Sequence, residues 1–345
     1  NYSLMRKFSH KFLNSIWYQG LRPPIILRIL SIFYQCVVYL RRFFYKTGFL
    51  KTINVGIPII IVGNITTGGT GKTPITLWLS EELSKKNQKV GIISRGYKGK
   101  KKRQEPTIIH SDHSATEYGD EAVYLAQESK AMVCVCKNKI KAAKLLKEKG
   151  VDIIICDDGL QHYALDRDLE ILVIDGTRLF GNNLMLPAGP LREHIARIST
   201  VDLLMVNGSE ESIKEEPLLV NYQIEYFHLI NEEVREINGN QVLPINEFSD
   251  TEVQVLAGIG NPEKLYSELK KKGLNVIPVI TEDHGEIDLE TIQNIKTIPL
   301  FITPKDYVKY QGRVEDNTWL LDPIIEIMEG SKIDSLLNEV IENKS

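Results

Sequence analysis

The first 80 residues contain no aspartate or glutamate. They hold ten of the 42 Lys and Arg of the chain and none of its 45 acidic residues, the first of which is Glu81. A formal net charge of −3 over 345 residues therefore hides a basic N-terminal end joined to an acidic remainder. Cysteine is scarce too. Cys36, Cys134, Cys136 and Cys156 form neither a disulfide framework nor a C-x-x-C zinc pair, which points to a reducing compartment. Long apolar runs are missing as well: within PPIILRILSIFYQCVVYLRRFFYKTGFL the uncharged stretch from Ile29 to Leu40 is 12 residues, against the ~20 that span a bilayer. No small-residue cleavage site follows and the next element reads as a core strand, which excludes a secretory signal.

What the basic end does contain is a helix that sets large apolar and aromatic side chains among Arg28, Arg41, Arg42 and Lys46. Two readings fit it. One face could pack on the core, or the helix could lie in a membrane interface beside anionic head groups; the missing acids favour the second. RNA fits less well, because no basic run with interleaved stacking aromatics recurs elsewhere.

At this length two domains are expected, and 43% apolar with 25% charged residues makes an ordinary folded chain. The run IPIIIVG from Ile57 to Gly63 reads as a buried parallel strand, and KTPITLWLSEELSKK after it as a helix. Further strands are expected at KVGIIS, AMVCVC, VDIIIC, LEILVID and VDLLMVN, with NKIKAAKLLKEKG a helix closed by Gly150. Strands alternating with helices give an α/β fold, a mostly parallel sheet with helices on both faces. The polar, acidic, proline-ended segment from Gly208 to Pro217 reads as a boundary. The expected division is an N-terminal membrane-interface region over 1–52, a phosphate-loop core over 53–216, and a smaller α/β domain over 217–345.

The loop GNITTGGTGKTP, Gly63 to Pro74, nearly spells G-x-x-x-x-G-K-[ST] and places Thr66 where the first glycine belongs. The cradle itself is complete. Thr66, Thr67, Gly68, Gly69, Thr70 and Gly71 can wrap phosphates with backbone N–H groups, Lys72 can reach the β- and γ-phosphates, and Thr73 can hold Mg²⁺. Thr67 stands where certain nucleotide switches carry a lysine before the two glycines, which weighs against a membrane-recruited switch ATPase. A strand running into Asp157 and Asp158 offers carboxylates for the metal, though such a pair can also cap a helix. Asp120 and Glu121 start another helix, either as caps or as a proton acceptor beside a metal ligand. His284, next to Asp283, is catalytic or structural. Arg192, in LPAGPLREH, suits a phosphate or a surface ion pair equally.

Together these residues resemble the tetraacyldisaccharide 4′-kinase family, the lipid A kinases of Gram-negative bacteria. The matching stretches are RPP at 22, GNITTGGTGKTP at 63, SRGYKGK at 94, GDEA at 119, DDGLQH at 157, LPAGPLRE at 186, AGIGNPEKL at 257, EDHGEID at 282 and TPKDYVK at 303. They run in family order along nearly the whole chain. The resemblance implies a two-domain enzyme of the P-loop NTPase type that uses ATP and Mg²⁺ to phosphorylate the 4′-hydroxyl of an acylated glucosamine disaccharide 1-phosphate, giving lipid IVA. It implies a peripheral position on the cytoplasmic face of the inner membrane, held by the N-terminal helix. By position, Thr66 to Thr73 match the ATP loop, Asp120 the catalytic base, and His284 the histidine that pairs with it. Glu121 and Asp158 would hold Mg²⁺ or its waters with Thr73, while Arg192 and His162 would line the phosphate and substrate side. The chain departs from its relatives at Gly285, where a second histidine is common, at Pro304, where they carry glutamate, and at Leu160, where Phe is frequent. Thr66 is usual for the family.

Overall fold

The computed structural model describes residues 12–97, 99, 104–214, 216–239, 241–279, 297–312, 314, 317–328 and 332–342. Nine strands form the larger sheet, in the order Ile324–Ile327, Ile224–Ile230, Leu203–Asn207, Leu169–Asp175, Ile59–Gly63, Ile153–Asp157, Val90–Ser94, Met132–Val135 and Thr107–Ile109. All inner neighbours run parallel, and the two edge strands pair antiparallel.

The strand Ile59–Gly63 lies in mid-sheet with every residue buried, which is why it shows no polar alternation. Its side chains still alternate between faces. Ile60 and Val62 join one core with Ile75, Leu79 and Leu83 of the helix Lys72–Lys85, whereas Ile59 and Ile61 join the other with Ala142, Ala143 and Leu146 of the helix Lys139–Glu148. The second helix starts conventionally, the Asn138 side chain accepting from the N–H groups of Ile140 and Lys141. The first has no side-chain cap.

The N-terminal helix is Ile25–Lys46, and within it only Ser31 is buried. Ser31 Oγ donates to Met185 O at 2.7 Å, Tyr34 OH to Arg192 O at 3.0 Å, and Arg42 Nη2 to Thr200 Oγ1 at 2.9 Å. The opposite face is bare: Ile25, Ile29 and Phe33 are 71%, 60% and 69% exposed. None of the described helices is long and apolar enough to cross a membrane.

A second sheet of six strands, in the order Val242–Pro244, Glu233–Glu236, Thr318–Leu321, Leu300–Ile302, Glu252–Leu256 and Asn275–Pro278, encloses its own core around Val253, Val255, Phe301 and Trp319. The sheets do not divide at residue 217 as composition suggests. Ile224–Ile230 pairs in parallel with Leu203–Asn207, Ile324–Ile327 returns beside it, and Ile333, Leu337 and Val340 of the helix Lys332–Glu342 enter the first core. The smaller unit is thus inserted between two strands of the larger sheet. The polar segment 208–217 is a connection between neighbouring strands, and its composition reads the same in either role.

A fragment ending at residue 216 would lose Phe227, the last helix and both tethering strands from the first core. It is expected to show no cooperative transition on heating, followed by circular dichroism, where the full chain melts cooperatively. A sharp melt of the fragment would restore the boundary at 217.

Candidate active site

The loop after Gly63 takes backbone conformations that favour glycine, with φ of +108° at Gly68 and +99° at Gly71. A Cβ on Gly71 would lie 3.1 Å from Phe227 Cζ, and one on Gly69 would lie 2.8 Å from the backbone N of Gly260. The smaller unit therefore touches the loop backbone to backbone. On the other side Thr67 N–H donates to Pro190 O at 2.8 Å and Thr66 bridges to Leu191, so the proline-rich stretch braces the turn. The helix that follows begins at Lys72 without a side-chain cap, which leaves first-turn N–H groups for an anion. Thr67 Oγ1 and Thr70 Oγ1 are buried with no hydrogen-bond partner among the described residues.

Two carboxylates face this helix. Asp120 and Glu121 open the helix Asp120–Glu128 after Gly119, whose φ is +94°. Glu121 Oε1 accepts from Thr73 Oγ1 at 2.8 Å, joining the two helix starts. The same oxygen accepts from Lys305 Nζ at 2.9 Å, and Lys309 Nζ lies 3.1 Å from Asp120 Oδ2. Both lysines come from the helix Pro304–Tyr310 of the inserted unit. Burial would raise the carboxyl of Asp120, but Lys309 and Lys305 outweigh it and hold it below its usual value. Burial likewise opposes ionisation of Glu121, and Lys305 and Thr73 reverse the balance. Both are carboxylates at neutral pH.

The paired aspartates differ sharply. Asp157 ends the strand Ile153–Asp157, its main-chain oxygen accepts from Lys139 Nζ, and its Oδ1 is buried with no partner among the described residues. Burial, reinforced by Glu121, pushes its carboxyl up to about 7. Asp158 has a φ of +48° and turns to Arg192 Nη1 at 2.8 Å and Lys72 Nζ at 3.9 Å. Burial would raise it too, but Lys72 and Arg192 bring it down to about 2.

The sequence-expected residues thus fall into two groups. Thr73, Asp120 and Glu121 meet on one side of the loop, and Lys72, Asp158 and Arg192 on the other, with Arg192 Nη1 also 3.3 Å from Asn64 Oδ1. His162 follows Asp158 by four residues, its N–H donating to Gly159 O at 2.8 Å. Its ring is pushed down to about 4, first by burial and then by Lys139 and Arg167, and its Nε2 is buried without a partner among the described residues. Asp283, His284 and Gly285 lie outside the described residues. Among those described, no cluster of three or more His, Cys, Asp or Glu is disposed to hold a metal by itself.

Sequence reasoning passed over Lys305, Lys309 and the separate character of Asp157. A signal for the lysines exists in TPKDYVK: proline in a first helical turn, then lysines four apart on one face. Pro304 occupies that first-turn position, where proline is compatible with the helix. Nothing local says which carboxylates the two lysines meet.

The low value of Asp158 carries a stability consequence. Its folded-state value lies below the unfolded value of ~4, so its stabilisation is fully present above ~4 and is lost as pH falls toward about 2. Asp158→Asn is expected to lower the melting temperature by a constant amount above pH 5, with the gap to wild type narrowing below pH 4. A gap independent of pH would mean that Lys72 and Arg192 do not hold the charge.

Comparison with known proteins agrees with this geometry. The family model for LpxK, tetraacyldisaccharide-1-P 4′-kinase, matches residues 24–342. A tetraacyldisaccharide 4′-kinase of Hamiltonella defensa is 39% identical over 313 residues, covering 90% of this chain and 92% of that protein. One from Aliivibrio fischeri strain MJ11 is 36% identical over 98% of both chains. Among solved structures, the apo form of LpxK from Aquifex aeolicus in complex with ATP superposes with a TM-score of 0.75 at 26% identity, over 90% of this chain and 97% of that one. The chain belongs to the tetraacyldisaccharide 4′-kinase family.

Proposed function

We propose that this chain is an ATP-dependent kinase that transfers the γ-phosphoryl group to the 4′-hydroxyl of tetraacyldisaccharide 1-phosphate, giving lipid IVA in lipid A biosynthesis. The observation that carries the reading is the Asp120–Glu121 pair brought against Thr73 of a phosphate loop, in a chain matched to the kinase family from residue 24 to 342. Thr66 to Thr73 cradle the phosphates, and Lys72 offsets the charge on the γ-phosphate as it is transferred. Asp120, ionised and set beside the loop, takes the proton of the 4′-hydroxyl. That oxygen then bonds to the γ-phosphorus while the bond to the β–γ bridging oxygen breaks and ADP departs. By resemblance His284, which lies outside the described residues, would pair with Asp120, while Arg192 and the neutral His162 would face the acceptor.

The donor set suits Mg²⁺. Thr73 and Glu121 already meet, and the buried Asp157 presents an oxygen without a partner, so these three would hold the ion, with Asp158 toward its waters. Bound Mg²⁺ supplies charge neutralisation along the phosphates.

The acyl chains of the substrate are costly to remove from a bilayer, so the enzyme works at the membrane. The bare face of Ile25–Lys46, on a helix with basic and no acidic residues, supports peripheral attachment to an anionic membrane surface, and by resemblance that surface is the cytoplasmic face of the inner membrane.

The test is transfer of labelled γ-phosphate from ATP to detergent-dispersed tetraacyldisaccharide 1-phosphate. Wild type is expected to label the lipid and Asp120→Ala to lose ~100-fold or more. Binding of ATP by wild type without any transfer would favour a nucleotide switch instead. Attachment is tested separately by sedimentation with anionic phospholipid vesicles. Replacing Ile25, Ile29 and Phe33 with glutamate should release the protein from the vesicles while transfer to detergent-dispersed lipid persists; continued co-sedimentation would assign attachment elsewhere.

A further inference from the structure

Glu121 Oε1 has two donors, Thr73 Oγ1 at 2.8 Å and Lys305 Nζ at 2.9 Å. Lys305 is one of the two lysines that the inserted unit brings to these carboxylates, and its ammonium is held up by Glu121, Asp120 and Asp157 against the opposing effect of burial. A divalent cation on Thr73 and Glu121 would sit at the place this ammonium now serves. Two cations cannot share one carboxylate oxygen at such range without strong repulsion. One must leave when the other arrives.

The backbone that carries Lys305 is fixed. The neighbouring Asp306 is 1% exposed, and its Oδ2 accepts from Thr303 Oγ1 at 2.7 Å and from Gly258 N–H at 2.6 Å. Its Oδ1 accepts from Lys309 Nζ at 2.8 Å, and Lys309 also reaches Asp120. Helix withdrawal would therefore break a buried network, whereas the side chain of Lys305, 31% exposed, can change rotamer at little cost. The anion that would come with the metal is the terminal phosphate of the nucleotide, on the loop that ends in Thr73, the residue that shares Glu121 Oε1 with Lys305.

We infer that Lys305 is a placeholder cation: it neutralises Glu121 in the absence of metal, yields that oxygen to the divalent ion, and turns to the phosphate being transferred. This rests on the kinase reading above. Lys305 thereby makes the first encounter with free metal weak and gives the inserted unit a catalytic contact with the substrate nucleotide. Lys309, shared between Asp306 and Asp120, stays in place and positions the base.

The inference requires opposite effects on two measurements. Lys305→Met and Lys305→Gln should bind Mn²⁺ alone, followed by the electron paramagnetic resonance signal of the free ion, roughly fivefold tighter than wild type. Both should also transfer phosphate ~100-fold more slowly, and Lys305→Arg should move both quantities back toward wild type. Unchanged or weaker Mn²⁺ binding in both variants would overturn the inference, as would tighter binding with transfer at the wild-type rate. A wild type that transfers no phosphate would sink the kinase reading alone, and the Mn²⁺ titration would still decide whether Lys305 competes with metal.

Discussion

The helix Lys72–Lys85 starts without a side chain to cap it, and much of the molecule is arranged around that open end. First-turn N–H groups left unpaired in a protein interior cost free energy unless an acceptor arrives. The strand Ile59–Gly63 delivers them at the middle of the larger sheet, with the strand ending in Asp157 as its immediate neighbour. Phe227 supports the turn at Gly71, the stretch around Pro190 braces Thr66 and Thr67, and Gly260 meets Gly69 from outside. Each neighbour is apolar, backbone or proline-linked, and none of them fills the role of an anion. The uncapped start is thus compatible with the proposed phosphate cradle, which needs free first-turn N–H groups.

Electrostatics sort the titratable groups around that start into pairs with different work. Asp158 lies between Lys72 and Arg192 and keeps its charge to strongly acid conditions, whereas Asp157, one residue earlier, has no hydrogen-bond partner on its Oδ1 among the described residues and holds its proton near neutrality. The difference lies in their neighbours: burial and the Glu121 carboxylate raise Asp157, while Lys72 and Arg192 overcome burial at Asp158, which leaves the strand with a positive φ.

This split also marks how far the sequence could be read. The loop, the strands beside it and the helix opened by Asp120 and Glu121 are local patterns, a glycine spacing, apolar runs and a first helical turn, and such patterns survive without a partner. The membership of Ile224–Ile230 in the larger sheet was not legible, because pairing depends on what the chain does a hundred residues later at Ile324–Ile327. Lys305 and Lys309 were missed for the same reason: their meaning lies in Glu121 and Asp120, across the chain and in another unit. The resemblance to a kinase family supplied the roles of Asp120 and Arg192 that spacing alone left open.

The helix Ile25–Lys46 is fastened directly to the stretch that carries Arg192. Tyr34 donates to the carbonyl of Arg192, the residue whose guanidinium faces Asp158, and Ser31 donates to Met185 in the same stretch. Were the bare face of that helix seated in a lipid interface as proposed, the distance between the acyl layer and the phosphate loop would become a fixed height, as in a gauge resting on a table. A sugar hydroxyl would then be met according to how far it stands above the bilayer.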